Sequence, residues 1–279
     1  MEGAYLELRA ENLCYRAGER QLLQNISLSV RSGEAIGLWG ASGAGKTTLL
    51  LALRGVLQHY GIGCLQGRVL LDGSSVASHP YESLGAEMAL LFQDADMQVF
   101  SATVWDEIAF GLENFRWPVE KIHQRTAQVL EELGITPLAQ ASPRELSGGQ
   151  KKLVALAALL ALRPRVLLLD EPLASLDASE RGRILAVLEK LKQQGMALVL
   201  ADHAWEAAAL VDHMFFLVEG KIAGDKPGKD IFSDGALLGR CRLMPPPFVA
   251  FLQAMGWPAE DFFHREKCWQ RLKEAGYLA

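Results

Sequence analysis

The chain has 279 residues, 50% of them hydrophobic and 22% charged, with a net charge of −5 at pH 7. This composition excludes a disordered chain, a collagen-like rod and a disulfide-bonded scaffold, and the acidic balance argues against a nucleic-acid partner. The longest uninterrupted apolar stretch, residues 153–162, has ten residues, whereas a membrane-spanning helix needs about 20.

The N-terminal region predicts strands separated by turns. Residues 6–13 are rich in apolar side chains, and residues 26–30 alternate apolar with polar side chains. Ala35–Trp39 is apolar throughout, which is typical of a strand buried on both faces, and residues 68–71 predict a further short strand. Of these predicted strands, Ala35–Trp39 says most about function, because a glycine-rich loop follows it directly.

This glycine-rich loop fits the pattern GxxxxGK[ST] and precedes a helical pattern, as a phosphate-binding loop requires. Its glycines allow successive backbone N–H groups to point at a phosphate, and the helix N-terminus adds a positive dipole. We expect Lys46 to contact the β- and γ-phosphates and the Thr47 hydroxyl to ligate Mg²⁺. The predicted nucleoside triphosphate site consists of Gly40, Ala41, Ser42, Gly43, Ala44, Gly45, Lys46, Thr47 and Thr48.

Residues from about 94 to 146 have mixed helical character with several breakers, and after them strands and helices alternate. Such alternation indicates a parallel sheet with helices on both faces. It ends near residue 225, and the proline run at 245–247 marks a C-terminal extension. The predicted elements are a helix at about 149–162, a strand at 166–169, a helix at 179–193, a strand at Ala197–Ala201, a helix at about 205–210 and a strand at 214–218.

The strand predicted at 166–169 leads directly into two acidic residues, Asp170 and Glu171. A buried strand of a parallel sheet delivers the residues that follow it to the carboxyl edge, where ligands bind in such sheets. We expect Asp170 to hold Mg²⁺ through its water shell and Glu171 to polarise the attacking water. With the phosphate loop, this pair predicts hydrolysis of the bound triphosphate.

The sequence LSGGQ at residues 146–150 has its serine 23 positions before Asp170. Together with the two preceding motifs it resembles the signature of ATP-binding cassette (ABC) ATPases, and this resemblance covers about residues 5–225. It implies an α/β P-loop NTPase fold with a parallel sheet core, an antiparallel β subdomain and a helical subdomain at about 94–146. The nucleotide-binding domain would span residues 1–225, and a C-terminal extension at 226–279 would be a candidate dimerisation region.

The resemblance also implies that two cassettes pair head to tail with two ATP molecules between them. In this arrangement the signature binds the γ-phosphate of the ATP held by the second cassette, and Asp177 couples the two ATP sites. The signature residues with this implied role are Ser147, Gly148, Gly149 and Gln150. The second cassette can be another copy of this chain or a similar chain, and both alternatives stay open.

Two further positions match the family, each directly after a predicted strand. The resemblance implies that Gln93 touches Mg²⁺ and the attacking water. It implies that His203 contacts the γ-phosphate and holds Glu171 in place. The expected catalytic residues are therefore Glu171, His203 and Gln93, and the expected Mg²⁺ residues are Thr47, Gln93 and Asp170.

The position that usually stacks on adenine departs from the family pattern. Family members place an aromatic residue just before the first turn, where this chain has Ala17, while Tyr15 lies two residues earlier. Tyr15 either stacks on adenine or packs within its strand, and both interpretations stay open at this point.

The segments 92–100 and 103–111 are similar to those of energy-coupling-factor (ECF) importers, which take up vitamins, cobalt and nickel. The resemblance implies that this region receives a transmembrane coupling protein at the cytoplasmic face of the membrane, with a separate membrane subunit that binds the substrate. Residues 243–252 also resemble the proline-containing C-terminal region of those ATPases, which supports dimerisation in several members. We expect a cassette of such an importer; a conventional ABC importer or exporter, and a soluble ABC ATPase, remain alternatives.

Overall fold

The computed structural model describes residues 6–258, 262 and 265–277, which form two β-sheets flanked by helices. The strands are β1 (Glu7–Ala17), β2 (Arg20–Arg31), β3 (Ala35–Trp39), β4 (Cys64–Leu71), β5 (Ser74–Ser75), β6 (Met88–Leu91), β7 (Val166–Asp170), β8 (Ala197–Ala201), β9 (His213–Val218) and β10 (Lys221–Pro227). One sheet is four-stranded and antiparallel, in the order β2-β1-β4-β5. The other has six strands in the order β10-β9-β3-β8-β7-β6.

Five strands of the six-stranded sheet are parallel, and only the edge strand β10 runs antiparallel to its neighbour. Strands β3, β6, β7 and β8 are buried along their whole length, as their apolar sequences require. Because the strands are parallel, their carboxyl ends meet at one edge of the sheet. The predicted parallel sheet and its strands are confirmed.

Helices cover both faces of this sheet. They are α1 (Lys46–Leu53), α2 (Val56–His59), α3 (Tyr81–Glu87), α4 (Val104–Asn114), α5 (Val119–Glu132), α6 (Gly148–Ala161), α7 (Ala178–Gln193), α8 (Gly235–Arg240), α9 (Pro247–Ala254) and α10 (Arg265–Glu274). Helices α4 and α5 occupy the region of mixed helical character and pack against α6. The helix predicted at 205–210 is a 3₁₀ turn, Trp205–Ala209.

The alternation of side chains along β7 separates two hydrophobic cores. Leu167 and Leu169 face a core shared with α4, α6 and α7, whereas Val166 and Leu168 face a core shared with α1 and the antiparallel sheet. Each core reaches the carboxyl edge of the sheet from its own side. The loops at that edge therefore project from strands that are fixed on both faces.

The C-terminal extension packs on the same molecule. The boundary predicted at 225 falls inside β10, and Leu237, Cys241 and Val249 belong to the core that also contains α6. Val249 and Leu252, which were expected to support dimerisation, are fully buried within the chain, so their contribution to a dimer surface is corrected to core packing. Among the residues that the structure describes, no helix is long and apolar enough to cross a membrane.

Candidate functional site

The phosphate loop lies between β3 and α1, at the carboxyl edge of the parallel strands. Gly43 and Gly45 have φ angles of +79° and +106°, which glycine adopts without the strain that a Cβ causes. A Cβ on Gly40 would collide with the carbonyl oxygen of Leu217, so only glycine fits there. The Lys46 ammonium is buried and donates a 2.7 Å hydrogen bond to the carbonyl oxygen of Gly40. The loop is thus curled around a cation, and a bound phosphate would compete with the backbone for it. The other predicted members of the loop are Ala41, Ser42, Ala44, Thr47 and Thr48.

Two oxygen donors face each other beside the loop. The Thr47 hydroxyl, in the first turn of α1, donates a 2.7 Å hydrogen bond to Oδ2 of Asp170 at the end of β7. Burial raises the pKa of Asp170 and the Glu171 carboxylate adds to the rise, while the hydrogen bond from Thr47 opposes it. Hydroxyl and carboxylate oxygens are ligands that Mg²⁺ prefers, and a bound cation would add to the positive charge that Lys46 already provides near this buried carboxylate. The residues present therefore fit Mg²⁺.

Gln93, Glu171 and His203 come together at the carboxyl ends of β6, β7 and β8. The Gln93 amide donates a hydrogen bond from Nε2 to Oε2 of Glu171 at 2.9 Å. His203 Nδ1 lies 3.7 Å from the other carboxylate oxygen, Oε1. Glu171 itself has a φ of +46°, an uncommon conformation for a residue with a side chain. This arrangement presents one carboxylate that Gln93 holds by a hydrogen bond and that the His203 ring approaches without one.

A buried carboxylate that was not predicted shapes the turn before this histidine. Oδ1 of Asp202 accepts hydrogen bonds from the backbone N–H groups of His203 (2.7 Å) and Ala204 (2.8 Å). Burial raises the pKa of Asp202, and the hydrogen bonds from Ala204 and His203 oppose this rise. The Leu200-Ala201-Asp202-His203 sequence holds no pattern that distinguishes such a turn-forming aspartate from an exposed one.

The signature residues form the N-terminus of α6. Ser147 and Gln150 form a capping box: the Gln150 backbone donates to Ser147 Oγ at 3.2 Å, and Gln150 Oε1 accepts from the Ser147 backbone at 2.9 Å. A Cβ on Gly148 would meet open space, whereas one on Gly149 would collide with the Glu180 side chain. Within the described part of the chain, no hydrogen bond or ion pair joins these residues to the phosphate loop. The hydrogen-bond partners that the structure gives Ser147 lie within the signature and on Glu180.

Glu180 links the signature to the start of α7. Its Oε1 accepts a 3.1 Å hydrogen bond from the Ser147 hydroxyl, and its Oε2 accepts a 3.3 Å bond from the Asp177 backbone. Asp177 caps α7 in return, because its Oδ1 accepts from the Glu180 backbone at 2.8 Å. The predicted coupling residue therefore lies one side chain away from the signature. The spacing D-x-x-E at 177–180 is the capping-box signal by which Glu180 could have been found.

The structure corrects one predicted binding residue. The Tyr15 side chain is only 3% exposed and belongs to the core beneath the antiparallel sheet. A Cβ added to Gly63 would press on the Tyr15 ring, so the ring is covered on that side by backbone. A buried ring presents no free face to adenine, and Tyr15 is a packing residue of its strand.

An exposed apolar surface lies beyond Gln93, on the segment that leads into α4. Met97 is 84% exposed, Phe100 63% and Phe110 42%, and the rings of Phe100 and Phe110 pack edge to face at 4.9 Å. We call these three residues the apolar patch. Glu107, on α4, is buried beneath it and accepts hydrogen bonds from the Phe100 and Ser101 backbone.

The comparison with protein families matches residues 23–174 to the model described as ABC transporter. The chain is 34% identical over 251 residues to the energy-coupling factor transporter ATP-binding protein EcfA1 of Oenococcus oeni, covering 90% of this chain and 87% of that protein. It is 38% identical over 244 residues to the cobalt import ATP-binding protein CbiO of Rhodobacter capsulatus, covering 86% of this chain and 85% of that protein.

A solved structure shares the fold. It is cbiO1 from Clostridium perfringens, described as part of the ABC transporter complex cbiONQ, with a TM-score of 0.75 and 30% sequence identity over 88% of this chain and 98% of that chain. The family match runs from β2 to just past Glu171, and the fold match covers a larger share of the chain. The predicted fold is confirmed: the chain belongs to the ABC transporter family and is one of its ATPases.

Proposed function

We propose that this chain is the ATP-hydrolysing subunit of an energy-coupling-factor importer of vitamins or transition-metal ions. Two of its relatives bear names from that class, one a cobalt import ATP-binding protein and the other an energy-coupling factor transporter ATP-binding protein. The observation that carries the proposal is the apolar patch of Met97, Phe100 and Phe110. The Phe100 and Phe110 rings are in contact, and Met97 precedes Phe100 by three residues on the segment that begins after Gln93. Exposed apolar side chains grouped in this way mark interaction surfaces.

The proposed chemistry uses the residues at the carboxyl edge of the sheet. Lys46 exchanges its bond to the loop carbonyl for the β- and γ-phosphates of ATP. Glu171, oriented by Gln93 and His203, polarises a water that attacks the γ-phosphorus, and the bond to the bridging oxygen of ADP breaks. Mg²⁺ held by Thr47, Asp170 and Gln93 supplies electrostatic stabilisation of the phosphate charge when bound.

The signature completes the site from a second cassette. The amides of Gly148 and Gly149 lie at the N-terminus of a 14-residue helix, where backbone N–H groups and the helix dipole favour an anion. Ser147 releases Glu180 and binds the γ-phosphate of the partner cassette's ATP. The position of Asp177 beside Glu180 supports its proposed role in coupling the two sites.

Coupling to transport runs through the segment between the apolar patch and Gln93. The Gln98 side chain accepts a 2.7 Å hydrogen bond from the Phe92 backbone and donates a 3.0 Å bond to the Leu90 carbonyl. This clamp ties the patch to the end of β6, from which Gln93 reaches Glu171. We therefore place the cassette at the cytoplasmic face of the membrane, with the patch against a transmembrane coupling protein and a separate membrane subunit for the substrate.

The test is co-purification of the tagged chain from native membranes in mild detergent. We expect the parent to bring down an integral membrane protein, and Phe100→Asp to lose it because a carboxylate enters the apolar contact. Val119→Asp is the matched control, since Val119 is equally exposed on α5 but lies outside the patch. If the parent recovers no integral membrane protein, or if Phe100→Asp recovers as much as the control, the proposal is wrong. Mass spectrometry of the recovered subunits separates this class from a conventional ABC importer or exporter.

A further inference from the structure

Lys152 lies in the second turn of α6, five residues after the signature serine, and is only 4% exposed. Its ammonium donates three hydrogen bonds, to the carbonyl oxygens of Glu171 (2.9 Å), Pro172 (3.2 Å) and Ala174 (2.9 Å). A lysine ammonium has three donors, so all of them are used. Buried lysines are rare, and all three hydrogen bonds of this one go to the backbone that follows β7.

The backbone that Lys152 holds is in an unusual conformation. Glu171 has a φ of +46°, a left-handed conformation that is unfavourable for a residue with a Cβ. Three hydrogen bonds keep it there: its N–H donates to the Ala201 carbonyl at 2.7 Å, and its own carbonyl accepts from the Ala174 N–H at 3.1 Å and from Lys152 at 2.9 Å. Without the ammonium, the Glu171, Pro172 and Ala174 carbonyls would each lose a hydrogen bond, and the segment 171–174 would keep only its backbone bonds and the bond from the Leu173 N–H to Asp202. The Glu171 carboxylate would then leave Gln93 and His203.

The same lysine connects this segment to the signature. Ser147 and Lys152 lie on one rigid helix, so a displacement of its N-terminus also displaces the ammonium. The third carbonyl, that of Ala174, immediately precedes the segment 175–177. Thus the Lys152 side chain connects α6, whose N-terminus is proposed to bind the partner's nucleotide, to Glu171, which is proposed to act on the chain's own nucleotide.

The charges around the ammonium favour this arrangement. Burial lowers the pKa of Lys152, while the carboxylates of Asp202, Glu171 and Asp94 raise it, and Arg181 is the like charge that adds to the lowering. Burial has the largest effect and the pKa of Lys152 is lowered overall, while the three carboxylates attract the ammonium and oppose that lowering. Three carbonyl acceptors match the three N–H donors of the ammonium, whereas a neutral amine has only two.

We propose that Lys152 is a positioning residue for ATP hydrolysis, which holds the Glu171 backbone and transmits the position of the signature helix to it. This inference rests on the role proposed above for Glu171. It assigns to the middle of α6 a part in the reaction, in addition to the part proposed for the helix N-terminus. Lys152 touches neither water nor nucleotide in this scheme and acts through Glu171 alone.

The test is steady-state hydrolysis of MgATP by the full chain and its variants, with kcat and KM measured separately. We expect Lys152→Met to lower kcat about tenfold or more while KM for ATP changes less than about twofold, because the phosphate loop is untouched. Lys192→Met is the matched control: its ammonium also binds a carbonyl, that of Leu210 at 2.9 Å, away from the site. The control is expected to keep the parental kcat.

A double variant distinguishes an effect of Lys152 through Glu171 from an independent effect of Lys152 on the rate. If Lys152 acts through Glu171, adding Lys152→Met to Glu171→Gln lowers the residual rate no further. A further drop of the same factor, or a parental kcat in Lys152→Met while Glu171→Gln is inactive, would overturn the inference and leave the role of Glu171 intact. A parental rate in Glu171→Gln would instead overturn the role of Glu171. Should Lys152→Met not fold, Lys152→Gln decides, because its amide has two N–H donors for three carbonyls: a lowered kcat supports the inference and an unchanged kcat refutes it.

Discussion

Glu107 anchors the loop that displays the apolar patch, and its removal is expected to destabilise that loop measurably. The side chain is 4% exposed, and a single oxygen, Oε2, accepts the backbone N–H groups of Phe100 (2.9 Å) and Ser101 (2.7 Å). Hydrogen bonds to a charged acceptor contribute about 1.5–3 kcal/mol each. Since the loop can turn part of its backbone to water, we expect Glu107→Ala to cost about 3 kcal/mol of unfolding free energy rather than the full sum.

Glu107→Gln distinguishes the hydrogen bonds from the charge. An amide oxygen can occupy the position of Oε2 and accept both N–H groups, so this variant is expected to lose only about 1 kcal/mol. Glu113→Ala is the control on the same helix, with an exposed side chain, and it is expected to stay within about 0.5 kcal/mol of the parent.

Thermal unfolding of the purified chain measures these differences. For a chain of this size about 1 kcal/mol corresponds to 2–4 °C, so Glu107→Ala should unfold about 6–12 °C below the parent. Amide hydrogen exchange should rise at residues 98–103 in the same variant. The reasoning would be refuted if Glu107→Ala unfolded at the parental temperature, or if Glu107→Gln fell as far as the alanine variant.

Three further changes test other parts of the structure. Ser147→Glu is expected to abolish turnover while the isolated chain binds ATP with parental affinity, measured by equilibrium binding; lost binding would mean that Ser147 serves its own chain's nucleotide. Glu171→Gln should bind ATP and accumulate as a dimer by size-exclusion chromatography, and an ATP-bound monomer would contradict this. Arg125→Met removes two hydrogen bonds that end α6, to the carbonyls of Leu160 (2.7 Å) and Ala161 (3.1 Å), and urea unfolding should show a loss of about 2–4 kcal/mol; an unchanged midpoint would contradict this.

The sequence alone was sufficient for the parallel sheet and for the clustering at its edge. The strand before Asp170 and Glu171 placed these two residues at the carboxyl edge, whereas Gln93 and His203 were assigned to the site by the resemblance to the ABC family. Neither inference needed any knowledge of distant contacts. The periodicity of the chain also located α6 and α7 to within about two residues.

Other features depended on contacts that no local pattern encodes. Tyr15 was ambiguous because an aromatic residue near a strand end is compatible with both stacking and packing, and only the covering backbone at Gly63 decides. For Val249 and Leu252 the sequence is equally compatible with burial in the chain's own core and with a partner surface, because large apolar side chains occur in both places. Lys152 binds backbone carbonyls 19 to 22 residues away. Every residue has such a carbonyl, so no sequence pattern identifies these contacts.

The central claim is that each ATP site contains the phosphate loop of one chain and the signature of another. It is tested by thiol cross-linking of a Glu171→Gln chain that carries Ser42→Cys and Gly148→Cys, with the exposed Cys64 replaced by serine. Both positions are open, since Ser42 is exposed and a Cβ on Gly148 meets no atom within 4 Å. We predict that a short bifunctional thiol reagent produces a covalent dimer only when ATP is present. A link within a single chain, or a dimer that forms equally without ATP, would contradict the claim.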